Sequence, residues 1–112
     1  MSVSDQMMKG LLDAAILGLI SYGETYGYEI TKRLEEKKFP GISEGSIYPV
    51  LLRLSKKGYV TTRMVKSVSG GPKRKYYEIT ETGLKELIIF NKKWHKLNSG
   101  MNNILGEIHD VK

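Results

Sequence analysis

The sequence predicts a mainly α-helical fold that carries one small β-hairpin, and three observations lead there. Apolar residues recur at the three-and-four spacing of helices buried on one side through most of the chain. The period changes to two only between Tyr59 and Ile79, where β-branched residues gather. Beyond Thr80 a heptad seam runs on for longer than one small domain can cover. The 112 residues, 40% of them apolar, suffice for a single hydrophobic core and argue against wholesale disorder.

The elements follow in order. Met8, Leu11, Leu12, Ala15, Ile16, Leu19 and Ile20 form the inner face of a first helix, with Ser4 as N-cap, Asp5 in the first turn and Gly23 as the stop. A second helix is expected from about residue 26 to 38, with Ile30 and Leu34 inward and Lys32, Arg33, Lys37 and Lys38 outward. Phe39-Pro40-Gly41 ends it, because proline cannot continue a helix. The third helix spans about 43–57, held inward by Ile47, Val50, Leu51 and Leu54 and stopped by Gly58. Pro49 would cost ~3 kcal/mol in a helix interior. The reading adopted makes Ser46 the cap, so that Pro49 falls in the first turn, whose amides have no helical partner, and residues 43–45 form a looser lead-in.

From Tyr59 the chain alternates: Val60, Thr62 and Met64 against Thr61, Arg63 and Val65, the pattern of a half-buried strand. Residues 67–72 have turn chemistry, and 73–79 read as the return strand of a hairpin with a basic tip. Thr80 caps a last helix, with Glu81 favourably placed for its dipole. Its apolar residues Leu87, Phe90, Trp94, Leu97, Met101, Ile104 and Ile108 are spaced 3, 4, 3, 4, 3, 4, and the seam keeps its phase across Gly100. A helix over 81–109 would be ~43 Å long, so its outer half has nothing in its own chain to cover it. A second copy is the expected cover. The expected division is then 1–79, three helices and a hairpin in the order of a winged helix-turn-helix, and 80–112, a C-terminal dimerisation helix.

Charge points to the partner. Between Gly45 and Tyr77 stand eight Lys or Arg residues (Arg53, Lys56, Lys57, Arg63, Lys66, Lys73, Arg74 and Lys75) and no acidic residue, which accounts for most of the formal net charge of +6. A one-signed field confined to one segment suits a polyanion, and double-stranded DNA is the first candidate. The absence of cysteine excludes disulfides and thiolate-ligated metals. The apolar run from Ala14 to Ile20 is too short to cross a bilayer, and no leader peptide is read, so a soluble cytoplasmic protein is expected. His95 and His109 stand fourteen residues apart, ~21 Å along one helix, too far to share a metal. No nucleophile motif or phosphate loop is present, so neither an enzyme nor a cofactor is expected.

Three stretches resemble the PadR family of bacterial transcriptional regulators: Tyr26-Gly27-Tyr28-Glu29-Ile30; Ser43-Glu44-Gly45-Ser46-Ile47-Tyr48-Pro49 with Arg53-Leu54 and Gly58-Tyr59-Val60; and Gly70-Gly71-Pro72-Lys73-Arg74-Lys75-Tyr76-Tyr77 leading into Thr80 and Gly83. The similarity spans roughly residues 7–97. The family often has His where this chain has Tyr26. The single short C-terminal helix is similar to the smaller PadR subfamily, which includes a multidrug-binding regulator with a tryptophan at the place of Trp94. The resemblance implies a homodimeric DNA-binding regulator, a repressor in the first instance, that responds to a small molecule.

On that frame Ser46, Tyr48, Pro49 and Arg53 present the third helix to the major groove. Arg53 would grip guanine or a phosphate, and Tyr48 would either reach the DNA or pack against the second helix. In the wing, Lys66, Lys73, Arg74 and Lys75 supply charge, and Gly70 and Gly71 allow close approach. Trp94, Phe90 and Leu87, with Met7, Leu11 and Ala14, would line a slot for a planar hydrophobic effector, by analogy with the similar regulator; a plain core tryptophan at the interface is the alternative. The rival functions are constitutive, sequence-tolerant chromosome binding without an effector and a protein-interaction module.

Overall fold

The computed structural model describes residues 3–66 and 70–106, which form seven elements: α1 (Val3–Ile20), β1 (Thr25–Tyr26), α2 (Gly27–Glu36), α3 (Glu44–Lys56), β2 (Val60–Val65), β3 (Arg74–Ile79) and α4 (Glu81–Leu105). The expected fold class is the observed one: mostly helical, with a small antiparallel wing and a long last helix. The three inner helices bury Ile16, Leu17, Leu19 and Ile20 of α1, Ile30 and Leu34 of α2, and Ile47, Val50, Leu51 and Leu54 of α3 in one core, closed by Val60 and Tyr77.

The sheet holds one strand more than the hairpin. β3 pairs antiparallel with β2 (Val60↔Ile79 through Val65↔Arg74) and, on its other side, with the two residues of β1 (Thr25↔Tyr77, Tyr26↔Tyr76). β1 is too short to carry a period and so leaves no sequence signal. The alternation expected of β2 is met only at its base. Val60 is buried, Val65 half-buried, and Met64 is 57% exposed, because the strand leaves the core and projects outward.

Two caps differ from expectation. α1 already includes Val3, so Ser4 lies inside the helix and does not cap it. α3 is capped by Ser43, and Ser46 stands at the third helical position. The Ser46 hydroxyl accepts from the Ser43 N–H at 3.0 Å and donates to the Ser43 carbonyl at 2.7 Å, so the two serines close the helix end together. Pro49 therefore sits within α3, past its first turn. The helix tolerates it because Gly45, whose carbonyl loses its donor, is exposed to water.

The helix stops are local. Gly58 (φ 76°) ends α3: its N–H meets the Ser55 carbonyl and the Tyr59 N–H reaches Leu54, both at 3.0 Å. α2 ends by the same pair of bonds, Lys38 to Glu35 and Phe39 to Leu34, but the left-handed position (φ 59°) is filled by Lys38. α4 starts on Thr80, whose hydroxyl accepts from the Gly83 N–H at 3.0 Å and donates to the Gly58 carbonyl at 2.6 Å. It runs unbroken through Gly100, and the molecule is elongated, 57 × 32 × 24 Å. Ile108 and His109 lie outside the described residues.

Candidate nucleic-acid interface and ligand groove

The exposed face of α3 runs through Pro49, Leu52 and Lys56. Tyr48 borders it on the side of the hairpin. Tyr48 packs against the second helix and stays open to solvent: its ring lies over the start of α2, where a Cβ on Gly27 would stand 3.1 Å from its Cε1 and Oη, yet the residue is 59% exposed. Ser46 is half-buried, its hydroxyl turned back to the Ser43 backbone. Between α3 and the hairpin opens a groove of about 620 Å3, lined by Tyr28, Tyr48, Leu52, Ser55, Lys73 and Lys75 among others. The aromatic residues and cations of this groove come from β1, α2, α3 and β3, with Lys73 just before β3. Tyr28 and the exposed Leu52 belong to it without having been singled out in the sequence, since neither breaks an amphipathic pattern.

Arg53 faces outward with its side chain 49% exposed and is also tied within the chain. Its guanidinium forms a two-bond fork with Asp13 of α1, Nε to Oδ2 at 3.1 Å and Nη2 to Oδ1 at 2.7 Å. The bond from Asp13 raises the Arg53 pKa further above its ordinary value. The other arginines of the chain, Arg33, Arg63 and Arg74, also each have an intramolecular partner. Arg63 forks onto Glu24 and holds that carboxyl below its usual value. Arg74 stands 4.6 Å from the centre of the Tyr26 ring, which meets Tyr76 at 5.1 Å. Arg33 lies over Tyr22 at 5.5 Å. By contrast Lys56, Lys57, Lys66, Lys73 and Lys75 are exposed and make no ion pair with the described residues. Arg53, Arg63 and Arg74 are exposed as well, and Arg74 lines the groove beside Lys73 and Lys75. What separates the two residue types is that the arginines have partners in the fold, where a planar fork fixes geometry, and these lysines are free to follow phosphates. Gly70 takes φ 79°, a left-handed turn at the far side of the tip.

A second groove, also about 620 Å3, lies between α1 and α4. Leu11, Ala14, Leu87, Phe90 and Trp94 come together in its lining, joined by Tyr22, Phe39 and Ile88. Met7 does not. It sits one turn before Leu11 on a stretch of α1 that outruns the domain, and is 56% exposed. Further along α4 the seam residues Leu97, Met101 and Ile104 are 60%, 42% and 67% exposed. Among the described residues no helix is long and apolar enough to cross a membrane.

Three packed helices, the third leading into a hairpin that projects beside it with lysines at its rim, define a winged helix-turn-helix, the architecture of a DNA-binding protein. Comparison with known proteins takes this one step further. Residues 16–88 match the transcriptional regulator PadR-like family. A PadR-like transcriptional regulator from Bacillus cereus strain ATCC 14579 is 45% identical with a TM-score of 0.79, covering 89% of this chain and 96% of that one. A Streptococcus transcriptional regulator is 34% identical with a TM-score of 0.79, over 88% and 96% of the two chains. The negative transcriptional regulator PadR of Bacillus subtilis strain 168 is 36% identical over 80 residues, 69% of this chain but only 43% of that protein, so the chain spans less than half of this relative. The chain belongs to the PadR-like family of transcriptional regulators, DNA-binding proteins and not enzymes.

Proposed function

We propose that the chain acts as a homodimeric repressor on a pseudo-palindromic operator, and that a small planar hydrophobic effector bound between the subunits at Trp94 releases it. The observation that supports this most is the continuity of the α1–α4 groove with the exposed seam of Leu97, Met101 and Ile104. An apolar stripe of that length on a helix is uncovered within one chain, and a symmetric partner would cover it with the same residues. Residues 80–112 then serve as the dimerisation helix and 1–79 as the reading head. Repression is supported by the similar Bacillus subtilis protein, a negative regulator by its printed name.

The mechanism follows from leverage. α4 begins at the root of the wing, tied there by Thr80 to Gly58 and Tyr59, so a ligand that wedges α1 from α4 changes the separation of two reading heads. Heads that must meet half-sites about one helical turn apart, ~34 Å, lose affinity when that distance alters. Trp94 is the chain's only tryptophan, so its emission reports the site directly. Titration with a panel of flat aromatic compounds is expected to quench or shift this emission and to release bound DNA over the same concentrations. Emission unchanged across the panel contradicts the effector, and quenching without release contradicts the coupling.

The engagement of Arg53 by Asp13 favours a second reading, sequence-tolerant binding without an effector, because it occupies the side chain best suited to guanine. Equal affinity for the best footprinted site and for random duplex would establish it.

A further inference from the structure

We propose that Asp13 and Arg53 form a strut that sets the pitch of the recognition helix on α1, so that Arg53 positions the DNA-reading surface without touching the DNA. Tyr48 and Arg53 flank the exposed face of α3 on opposite sides, ~140° apart around the helix at 100° per residue. Tyr48 lines the groove shared with the wing, and Arg53 turns the other way, to α1. Two bonds at 2.7 and 3.1 Å fix rotation as well as distance, which a single ammonium contact cannot do.

α3 has need of such a tie. Pro49 removes one backbone bond one turn before Arg53, and an internal proline loosens the direction of a helix. Ile47, Val50, Leu51 and Leu54 hold one face of α3 in the core, and the fork adds a directional tie outside that core, on the side facing α1. A phosphate would offer Arg53 the same bidentate geometry that Asp13 already gives, so leaving the carboxylate for DNA brings little net gain. Phosphate neutralisation is left to the lysines of the wing and of the end of α3. Asp13 also adjoins Ala14, which lines the α1–α4 groove, so the strut ties the wall of that groove to the reading helix.

The test uses the full chain and two DNA probes: sheared genomic duplex for the salt dependence, and the tightest duplex recovered by the wild type from a random-sequence pool. Asp13→Asn and Arg53→Ala are each expected to weaken binding to the selected duplex about fivefold, and the double variant no more than either alone. The slope of log affinity against log salt on genomic duplex is expected to stay at the wild-type value. A direct phosphate contact would instead flatten it by about 0.9 for each protomer bound when Arg53 is removed. Arg53→Lys separates the two roles again: it keeps the charge and loses the fork, so a strut predicts the loss seen with Arg53→Ala and a phosphate contact predicts near wild-type binding. The Arg53 side chain is half exposed and that of Asp13 partly exposed, so the variants are expected to stay folded by circular dichroism. Additive losses, a flatter slope for Arg53→Ala, tighter binding by Asp13→Asn, or unchanged binding in all variants would each overturn the strut.

Discussion

Gly83 stands where the last helix meets the root of the wing, and replacing it with alanine separates two opposing effects. Helix propensity favours alanine over glycine by ~1 kcal/mol at an unobstructed position. Here a Cβ would lie 2.1 Å from the Tyr59 carbonyl oxygen, 2.9 Å from its carbon and 3.0 Å from Cγ1 of Ile79. Two of those atoms are backbone, so no side chain can move aside, and the start of α4 must shift by about 1 Å to restore ordinary contact. That shift strains the Thr80 N–H bond to Tyr59 at 2.9 Å and the Thr80 cap, each worth ~1 kcal/mol, on top of an overpacking cost of ~1–3 kcal/mol. The clash outweighs propensity, and a net loss of ~2–3 kcal/mol is expected. For a domain of this size that lowers Tm by roughly 10–15 °C. Thermal unfolding followed by circular dichroism at fixed protein concentration measures it. Gly100→Ala is the internal control: nothing lies within 4 Å of its Cβ, so propensity alone should act and raise Tm by a few degrees. A Gly83→Ala protein as stable as the wild type would refute the packing described at the wing root.

Lys38→Gly should stabilise the chain by ~0.5 kcal/mol, because it relieves a left-handed lysine at the end of α2 while adding freedom to the unfolded chain; a lower Tm would show that Lys38 makes an interaction worth more than its strain. Lys73→Ala and Lys75→Ala should each flatten the salt slope of DNA binding by about 0.9 per protomer, measured by fluorescence anisotropy from low to moderate salt, and an unchanged slope would remove the wing from the phosphate contacts. The Glu24–Arg63 pair gives a pH dependence. The folded Glu24 carboxyl lies below its unfolded value, so its contribution is complete above the ordinary carboxylate range and is lost as pH falls through the folded value. Wild type should therefore melt slightly above Glu24→Gln near neutral pH, with the difference closing as pH falls through the folded value, and a difference that grows on acidification would contradict the pair.

What the sequence made legible, and what it hid, divides by range. The apolar faces of the helices, the glycine stop at Gly58, the Thr80 cap and the α4 seam as far as Ile104 all rest on neighbours within a turn or on a repeated period, and each appears where the pattern placed it. The α3 cap was displaced by three residues because Ser43 and Ser46 offer the same chemistry, and the burial of Ile47 at the fourth helical position decides between them only once the core is known. β1 is two residues long and is defined by its partner, Tyr76 and Tyr77, some fifty positions away. The fork of Arg53 on Asp13 joins residues 40 apart in the chain, and only the packing of α1 on α3 brings them together. A count of charges treats arginines and lysines alike, whereas in the fold each arginine, though three of the four are exposed, has a partner within the chain.

Sedimentation of the chain alone and with a footprinted duplex tests the central claim most directly. A symmetric pair of reading heads joined through α4 predicts a dimer at micromolar concentration and two chains on each duplex, with Met101→Glu and Ile104→Glu together giving monomers that bind DNA far more weakly. A stable monomer that binds the same duplex one chain at a time, with undiminished affinity, would contradict it.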